Sequence, residues 1–246
     1  GGAKGLTYYS GLTYTDDKSI VLNSYSKRVQ SKINVDYSTG KFRLFNTLSF
    51  AYQTGNTVPL FNTLRQLFER NPWTSIYRPD GSYAGYIESK RNPVAQALFS
   101  TNLDKNYTTQ YSTQASYQIL KDLKFTALFN AQLNNNNNTQ FNPSSLTSGG
   151  TGLSTGGNDL ENKFYWETQG YFNYNHTFAK DHNVTVLLGG SIDRQRNDEF
   201  DLNFNTYPTE TLLNPTGAVF LTNSSYPAHA HKDESVFARI GYNYKS

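Results

Sequence analysis

The chain has no cysteine and no methionine, and only 17% of its 246 residues carry charge. Without cysteine there is no disulfide framework, no thiolate metal site and no cysteine nucleophile. Without methionine the sequence does not open on a start residue, so a processed chain or an internal stretch of a longer protein is expected. The charged fraction lies below the roughly 25% usual in soluble domains, whereas disordered chains run high in charge. A net charge of +3 is too mild to indicate nucleic acid. No apolar run approaches the ~18 residues of a membrane helix, and no signal-peptide pattern is present. Helical membrane proteins, disulfide scaffolds and zinc-finger-like modules are thereby excluded. What the chain does hold is 19 Tyr and 16 Phe against 2 Trp, together with abundant Asn, Gln, Ser and Thr.

The organising signal is alternation. From Tyr107 onward one face reads Tyr107, Thr109, Tyr111, Thr113, Ala115, Tyr117, Ile119, and the other Thr108, Gln110, Ser112, Gln114, Ser116, Gln118. Successive side chains of a strand point to opposite faces, so this segment carries an apolar and a hydrogen-bonding face along its length. Val29, Ser31, Ile33, Val35 and Tyr37 oppose Arg28, Gln30, Lys32, Asn34 and Asp36 in the same way. Val236, Ala238, Ile240, Tyr242 and Tyr244 oppose Phe237, Arg239, Gly241, Asn243 and Lys245. Further strands are expected at residues 6–15, 41–53, 122–134, 163–177 and 183–198, eight in all. Two residues break the pattern: Asn46 on an apolar face and Leu187 on a polar one.

Most of these strands run ~11–16 residues, well beyond the globular mode of about 5–6. A strand crossing a bilayer needs roughly 9–11. Aromatic residues toward the strand ends, such as Tyr107 and Tyr117, match the two headgroup-level girdles of outer-membrane barrels. The links alternate in size: Ser38-Thr39-Gly40, Lys121-Asp122 and Ala179 to His182 are short, while 54–106, 135–162 and 199–234 are long. The 16–25 link falls on the long-loop side by parity. Long loops on one rim and tight turns on the other are the asymmetry of transmembrane β-barrels. A sheet in lipid has to close on itself, and eight strands enclose only a filled interior. The expectation is an all-β, antiparallel transmembrane barrel segment, an arc of a larger barrel whose edge strands pair with further sequence.

Several motifs then resemble the SusC/RagA-type TonB-dependent outer-membrane transporters. Arg28-x-x-x-Lys32-x-Asn34-x-Asp36 is similar to that family's R-x-x-x-R-x-N-x-D strand. Ile76-Tyr77-Arg78-Pro79-Asp80-Gly81-Ser82-Tyr83 resembles its V-Y-x-x-D-G-S-Y loop, with Asn92-Pro93-Val94-Ala95 following. Ile119 to Phe125 resembles the I-x-K-G-L-x-F hairpin, Phe141-Asn142-Pro143 the F-x-P loop, and Ser235 to Lys245 the S-x-F-A-R-x-N-Y-x-Y-K strand. The matches keep the family order across nearly the whole chain. Departures are Tyr25, one position early, Asp122 in place of the hairpin Gly, and Gly241 where Asn is common. The resemblance implies that residues 1–246 form part of a 22-stranded barrel whose plug domain and remaining strands lie outside this chain. It implies a Gram-negative, Bacteroidetes-like outer membrane, a SusD-like surface lipoprotein lid, TonB acting through the plug, and an imported oligosaccharide or peptide. The alternative of a different class is a soluble extracellular β-rich adhesin or carbohydrate-binding module.

No catalytic or cofactor-binding constellation emerges, so no enzyme, cofactor or metal is expected. His229-x-His231 lacks a third ligand at defined spacing and reads as an exposed loop pair. His176 and His182 read as rim residues, and Asp193 to Glu199 as a solvated charge run. Gly149-Gly150-Thr151-Gly152 and Gly156-Gly157 read as flexible loop, and Asn134 to Asn138 as low-complexity sequence at a strand end. Leu60, Phe61, Leu64, Leu67 and Phe68 have helical spacing, which predicts a short helix packed on the barrel mouth. Trp73, Tyr77, Arg78, Asp80, Tyr83 and Tyr86 follow it. Aromatic faces beside charge are what a glycan or peptide ligand needs, although the same rings serve equally to pack the loop on itself or on a lid. Arg28, Lys32, Asp36 and Arg239 are expected to face the lumen.

Overall fold

The computed structural model describes residues 1–58, 60–87, 90–147, 152–207, 218 and 220–245, the side chains of 60–62 and 87 excepted. The alternating segments form eight long antiparallel strands: β2 (Leu6–Lys18), β3 (Tyr25–Thr39), β4 (Phe42–Asn56), β7 (Thr101–Leu120), β8 (Leu123–Asn142), β9 (Thr155–Phe178), β10 (His182–Asn205) and β12 (Ala228–Tyr244). Short strands β1 (Gly2–Ala3) and β11 (Phe220–Ser225) complete the same sheet. β11 pairs with the upper end of β10, and β12 continues down the same strand after Tyr226-Pro227. Pro227 has no N–H to donate to a ladder, and its carbonyl accepts from Glu199 N at 3.0 Å.

The expected strand centres hold, but the strands are longer than the alternation suggests. β7 and β8 reach 20 residues, β9 and β10 reach 24. The links expected at 54–106, 135–162 and 199–234 shrink accordingly, and Asn134 to Asn138 lies inside β8 rather than at its end. The reason is hydrogen bonding rather than hydrophobicity. The Asn run is paired to β7 on one side and to β9 on the other. Its amides also bridge strands: Asn135 Nδ2 donates to Asn162 Oδ1 at 2.5 Å, and Asn138 Nδ2 to Asn102 Oδ1 and Asp104 Oδ1, both at 2.7 Å.

Link asymmetry survives the revision. At one end lie Lys4-Gly5, Gly40-Lys41, Lys121-Asp122 and Ala179-Lys180-Asp181. Gly40 takes φ +53 at the first position of its two-residue turn, a conformation tight hairpins require and glycine adopts without strain. At the other end lie the 57–100, 143–154 and 206–219 links and the short 19–24 link.

Register aligns the faces across the sheet. Val29, Tyr52, Tyr107 and Asn135 occupy one rung, and Ile33, Leu48, Tyr111 and Ala131 another. The apolar face is bare: Leu12 is 76% exposed, Ile240 77% and Val236 86%. Neither a second sheet nor a helix layer covers it among the described residues. The polar face is the concave one, since Gln30, Lys32, Thr47, Ser49, Gln110, Ser112, Asn130, Gln132 and Tyr165, from five neighbouring strands, line a single hollow of ≈320 Å³. Arg28, Lys32, Asp36 and Arg239 share this concave face. On the apolar face the Asn46 irregularity is satisfied locally, because the Tyr111 hydroxyl donates to its Oδ1 at 3.0 Å. Leu187 sits opposite Asn173 and Arg239 on the concave face. The sheet stays open, as no pairing joins β2 to β12 among the described residues.

A dry core does exist, but it lies in the long links rather than under the sheet. Val58, Ala84, Ala95, Ala97, Leu146, Phe141 and Tyr207 are the buried apolar residues. They belong to the 57–100 link with its helices α1 (Leu60–Glu69) and α2 (Pro93–Phe99), to the ends of the neighbouring links and, for Phe141, to the end of β8.

Candidate functional site

The 57–100 link folds around buried asparagine. Asn92 is fully buried and caps α2, its Oδ1 accepting from Val94 N at 3.0 Å and Ala95 N at 3.4 Å. Pro93 stands at the first helical turn, where its missing N–H has no partner to lose. The Asn92 amide donates to Ile76 O at 2.8 Å, and its backbone N–H to Gly85 O at 2.7 Å. One side chain thus ties α2 to the aromatic stretch before it. Asn56 does the same for the base of the link: it donates to Asn23 O at 2.6 Å and accepts from Asn102 N at 2.8 Å. The Gly85 backbone packs so closely on the 143–154 link that a Cβ there would stand 2.0 Å from Ser145 O.

The Tyr77 to Tyr83 segment is a tight hairpin. Gly81 N donates to Arg78 O at 3.0 Å and Arg78 N to Ser82 O at 2.7 Å, with Pro79 leading the turn and Gly81 at φ +83. Asp80 Oδ1 accepts from Ser82 N at 2.9 Å and from Ser82 Oγ at 2.7 Å. These bonds, the hydroxyl's first, hold the Asp80 carboxyl below the usual carboxylate range. Tyr77 and Tyr83 bridge across the hairpin with ring centroids 5.0 Å apart, and Phe99 of α2 meets Tyr83 edge-on at 5.5 Å. Hydrogen bonding to Tyr77 pushes the Tyr83 phenol up. Glu69, the last residue of α1, is salt-bridged to Lys90 and to Arg65 at 2.7 Å, and these partners hold its carboxyl low.

The sequence candidates therefore separate. Tyr77, Arg78, Asp80 and Tyr83 come together in one hairpin, where Asp80 is engaged in the turn. Tyr86 stands in a separate two-residue strand, β5 (Tyr86–Ile87), paired with β6 (Lys90–Arg91). Trp73 is 78% exposed in the turn after α1. The expected helix is present, but its described apolar side chains do not pack down on a barrel mouth: Leu64 and Leu67 are exposed, Phe68 is 82% exposed, and α1 packs on α2. Gly149, Gly150 and Thr151 lie outside the described residues.

The concave wall is a second candidate surface. Across the hollow Ser49 Oγ donates to Gln110 Oε1 (3.3 Å), Gln110 Nε2 to Gln132 Oε1 (3.1 Å), Ser112 Oγ to Asn130 Oδ1 (2.7 Å) and Asn130 Nδ2 to Glu167 Oε2 (3.3 Å). Nearer the long links Asp104, Asp159, Glu161, Glu199 and Asp201 line a further hollow of ≈380 Å³ with Asn102, Asn136, Asn138 and Gln140. This acidic wall was missed in the sequence, although Asp159/Glu161 and Glu199/Asp201 have the two-residue spacing that puts both carboxylates on one face. The Asp193 to Glu199 run is divided by the same rule: Asp193, Gln195, Asn197 and Glu199 face the concavity, Arg194, Arg196 and Asp198 the outside. His229 and His231 sit in β12 rather than in a loop. His231 Nε2 is 2.7 Å from Asp233 Oδ2, and no cluster of metal-ligating side chains occurs among the described residues.

The geometry is that of a curved wall with a bare apolar outside, an amide-lined inside, and packed loops at one rim. The protein is similar over its full length to TonB-dependent receptor P39 of Formosa agariphila, at 30% identity across 251 residues. This chain is a segment of a TonB-dependent receptor barrel. It also matches TonB-dependent receptor P26 of the same organism at 23% identity over 260 residues. It spans about a quarter of each relative, 24% and 26% respectively. In fold, 99% of the TonB-dependent receptor segment superposes on 29% of a chain in the structure of the RagAB peptide transporter, with a TM-score of 0.77 and 16% identity. No protein-family model matches the chain. By these likenesses the barrel segment is an outer-membrane structure.

Proposed function

We propose that this segment forms wall, lumen lining and outer loops of an active importer for glycans or peptides, covered by a SusD-like surface lipoprotein and energised by TonB. The bare apolar face is the observation that carries the reading. Lipid is the partner that such a surface fits, and with lipid outside, the amide-lined concavity becomes the lumen. In hydrocarbon the free edges of β2 and β12 would leave backbone groups unpaired, at several kcal/mol each. Further strands, of about 22 in all, and a plug domain that TonB engages complete the barrel in this reading, with residues 1–246 all belonging to the wall and its loops. Arg28, Lys32, Asp36 and Arg239 then line the passage. Trp73, Tyr77, Arg78, Asp80, Tyr83 and Tyr86 form the recognition loop toward ligand or lid, in the outer membrane of a Bacteroidetes-like cell. The RagAB structures, described as a peptide transporter and a peptide importer, support the peptide arm of the reading.

The test is uptake by the full-length protein in its native membrane. Labelled oligosaccharides and labelled peptides are offered to cells with and without functional TonB. Accumulation of one class that stops when TonB is removed is the expected result. Recovery of the protein in the soluble fraction without detergent would instead make it an adhesin or binding module.

A further inference from the structure

The short-turn rim carries a regular feature that the transport reading does not use. Each turn at that end holds a lysine: Lys4, Lys41, Lys121 and Lys180, with Lys245 at the foot of β12. All five are exposed, and none has a carboxylate partner among the described residues. The acids at this end are few. Asp36 is engaged by Arg43 at 2.6 Å and Asp122 by His176 at 2.7 Å, which leaves Asp181 beside Lys180. Toward the other rim the outward-facing cations are mixed: Arg196 is neutralised by Asp198 at 2.8 Å and Lys232 by Glu234 at 2.5 Å, whereas Lys18, Lys27, Lys105 and Arg194 show no carboxylate partner among the described residues.

Amphipathic rings fix the level of these lysines. On the outer face Tyr37, Tyr117, His182, Tyr242 and Tyr244 stand within four residues of a turn lysine or of Lys245. The His182 ring lies 4.9 Å from that of Tyr244, and Lys245 Nζ sits 5.3 Å over the Tyr244 ring. Rings of this kind settle at headgroup depth. A lysine one turn beyond them reaches the phosphate layer of the adjoining leaflet, its stem along the apolar edge and its ammonium in the polar zone.

We propose that Lys4, Lys41, Lys121, Lys180 and Lys245 form a basic belt that binds the headgroups of anionic phospholipids in the leaflet facing the short turns. The inference rests on the membrane-wall reading above. The belt selects phosphate-bearing lipids of net negative charge over zwitterionic ones, and so holds the wall at a set depth on that side. A lysine near an anionic surface contributes roughly fivefold in association, and the effect fades with added salt.

The experiment uses the full-length protein in phosphatidylcholine vesicles, with spin-labelled phosphatidylglycerol and spin-labelled phosphatidylcholine as probes. Motionally restricted lipid favouring phosphatidylglycerol by roughly fivefold at low salt, and losing that preference at high salt, is expected. Changing the five lysines to glutamine abolishes the preference, and changing them to arginine retains it. Lys180 and Lys245 hold positive φ, so a variant confined to Lys4, Lys41 and Lys121 guards against a folding defect and loses part of the selectivity. Equal restriction of both lipids by the unchanged protein overturns the proposal. So does full selectivity in the glutamine variant, including the case in which that variant loses a periplasmic protein partner instead. Absence of any restricted lipid would overturn the membrane-wall reading itself, a separate outcome.

Discussion

Arginine placed on alternate residues of β7 measures which face meets hydrocarbon, and how deep. Tyr107 and Tyr117 mark the two girdles on this strand. Ten residues at about 3.4 Å each, tilted by about 45°, give roughly 24 Å of height, close to the apolar band of an outer-membrane barrel. Thr113 lies on the outer face near the middle, between Asn46 and Phe129 in register. Arginine there costs about 2–4 kcal/mol, a roughly 30- to 1,000-fold fall in the ratio of assembled to unassembled protein. Ala115 is also outward but only about 5 Å in height from Tyr117, near enough for arginine to snorkel, so Ala115→Arg costs about 1–2 kcal/mol. Gln114 lies between them in sequence and faces the concavity, opposite Phe45 and Leu128. Gln114→Arg is expected to assemble like the unchanged protein. Thr113→Leu, apolar and of comparable bulk, separates charge from size and is tolerated. The assay is the heat-modifiable folded band of the full-length protein recovered from outer membranes, followed by urea unfolding in vesicles. The order Thr113→Arg, then Ala115→Arg, then Gln114→Arg is the prediction. Equal yields of Thr113→Arg and Gln114→Arg, or a greater loss for Gln114→Arg, would refute the assignment of faces.

Asn92→Ala removes a helix cap and one of the two donors to Ile76 O, which keeps its bond from Ala84 N, destabilising the 57–100 link by about 1–2 kcal/mol; amide exchange there rises while the strands stay protected. Gly85→Ala cannot be accommodated against Ser145 O and separates two links, which limited proteolysis reports as new cleavage near residues 85 and 145. The Asp80 carboxyl is depressed in the fold, so its support for the hairpin is complete above the ordinary carboxylate range and is lost as pH falls through its lowered value. Protection of the Ser82 amide relative to its intrinsic exchange rate falls over that acid window, and Asp80→Asn removes that fall. Tyr111→Phe strands the Asn46 amide on the apolar face at about 1–2 kcal/mol, a loss that Asn46→Leu in the same chain relieves; a double-mutant cycle in urea unfolding reads the coupling.

The strands were legible wherever one face meets lipid and the other water, because only there does composition alternate. Above the upper girdle both faces are polar, and the pattern vanishes although the ladder continues. This is why Asn134 to Asn138 looked like a strand end: its pairing is a property of Asp104 to Thr108 on β7 and of Asp159 to Lys163 on β9, not of its own residues. The hairpin turns were readable from Gly40 and from Pro79-Asp80-Gly81, whose chemistry is local. Asn92 and Asn56 were not readable as anchors, since their partners Ile76, Asn23 and Asn102 are 16 to 46 residues away in the chain. The acidic wall is an intermediate case, visible on each strand as spaced carboxylates but assembled only by register.

The position of the buried residues decides between the candidate recognition side chains. A soluble sheet of this size would place its core against one face. Here the sheet has none, and the dry contacts gather in the links, where Ala84, Ala95, Ala97 and Leu146 seal against one another. Links so packed are a rigid platform rather than loose tethers. On that platform Tyr83 is held between Tyr77 and Phe99 and its surroundings are already supplied by the fold. Phe68 and Trp73 project from the same platform with most of their surface uncovered. Burial of a large aromatic side chain stabilises an interface by about 1.5–3 kcal/mol or more, and that gain remains available at Phe68 and Trp73 but is spent at Tyr83. Within the proposed importer, we infer that contact with ligand or lid falls chiefly on Phe68 and on Trp73 of the proposed recognition loop. Trp73→Ala is expected to weaken capture without disturbing the hairpin, whereas Tyr83→Ala loosens the hairpin first, and near-ultraviolet circular dichroism beside a binding titration tells the two apart.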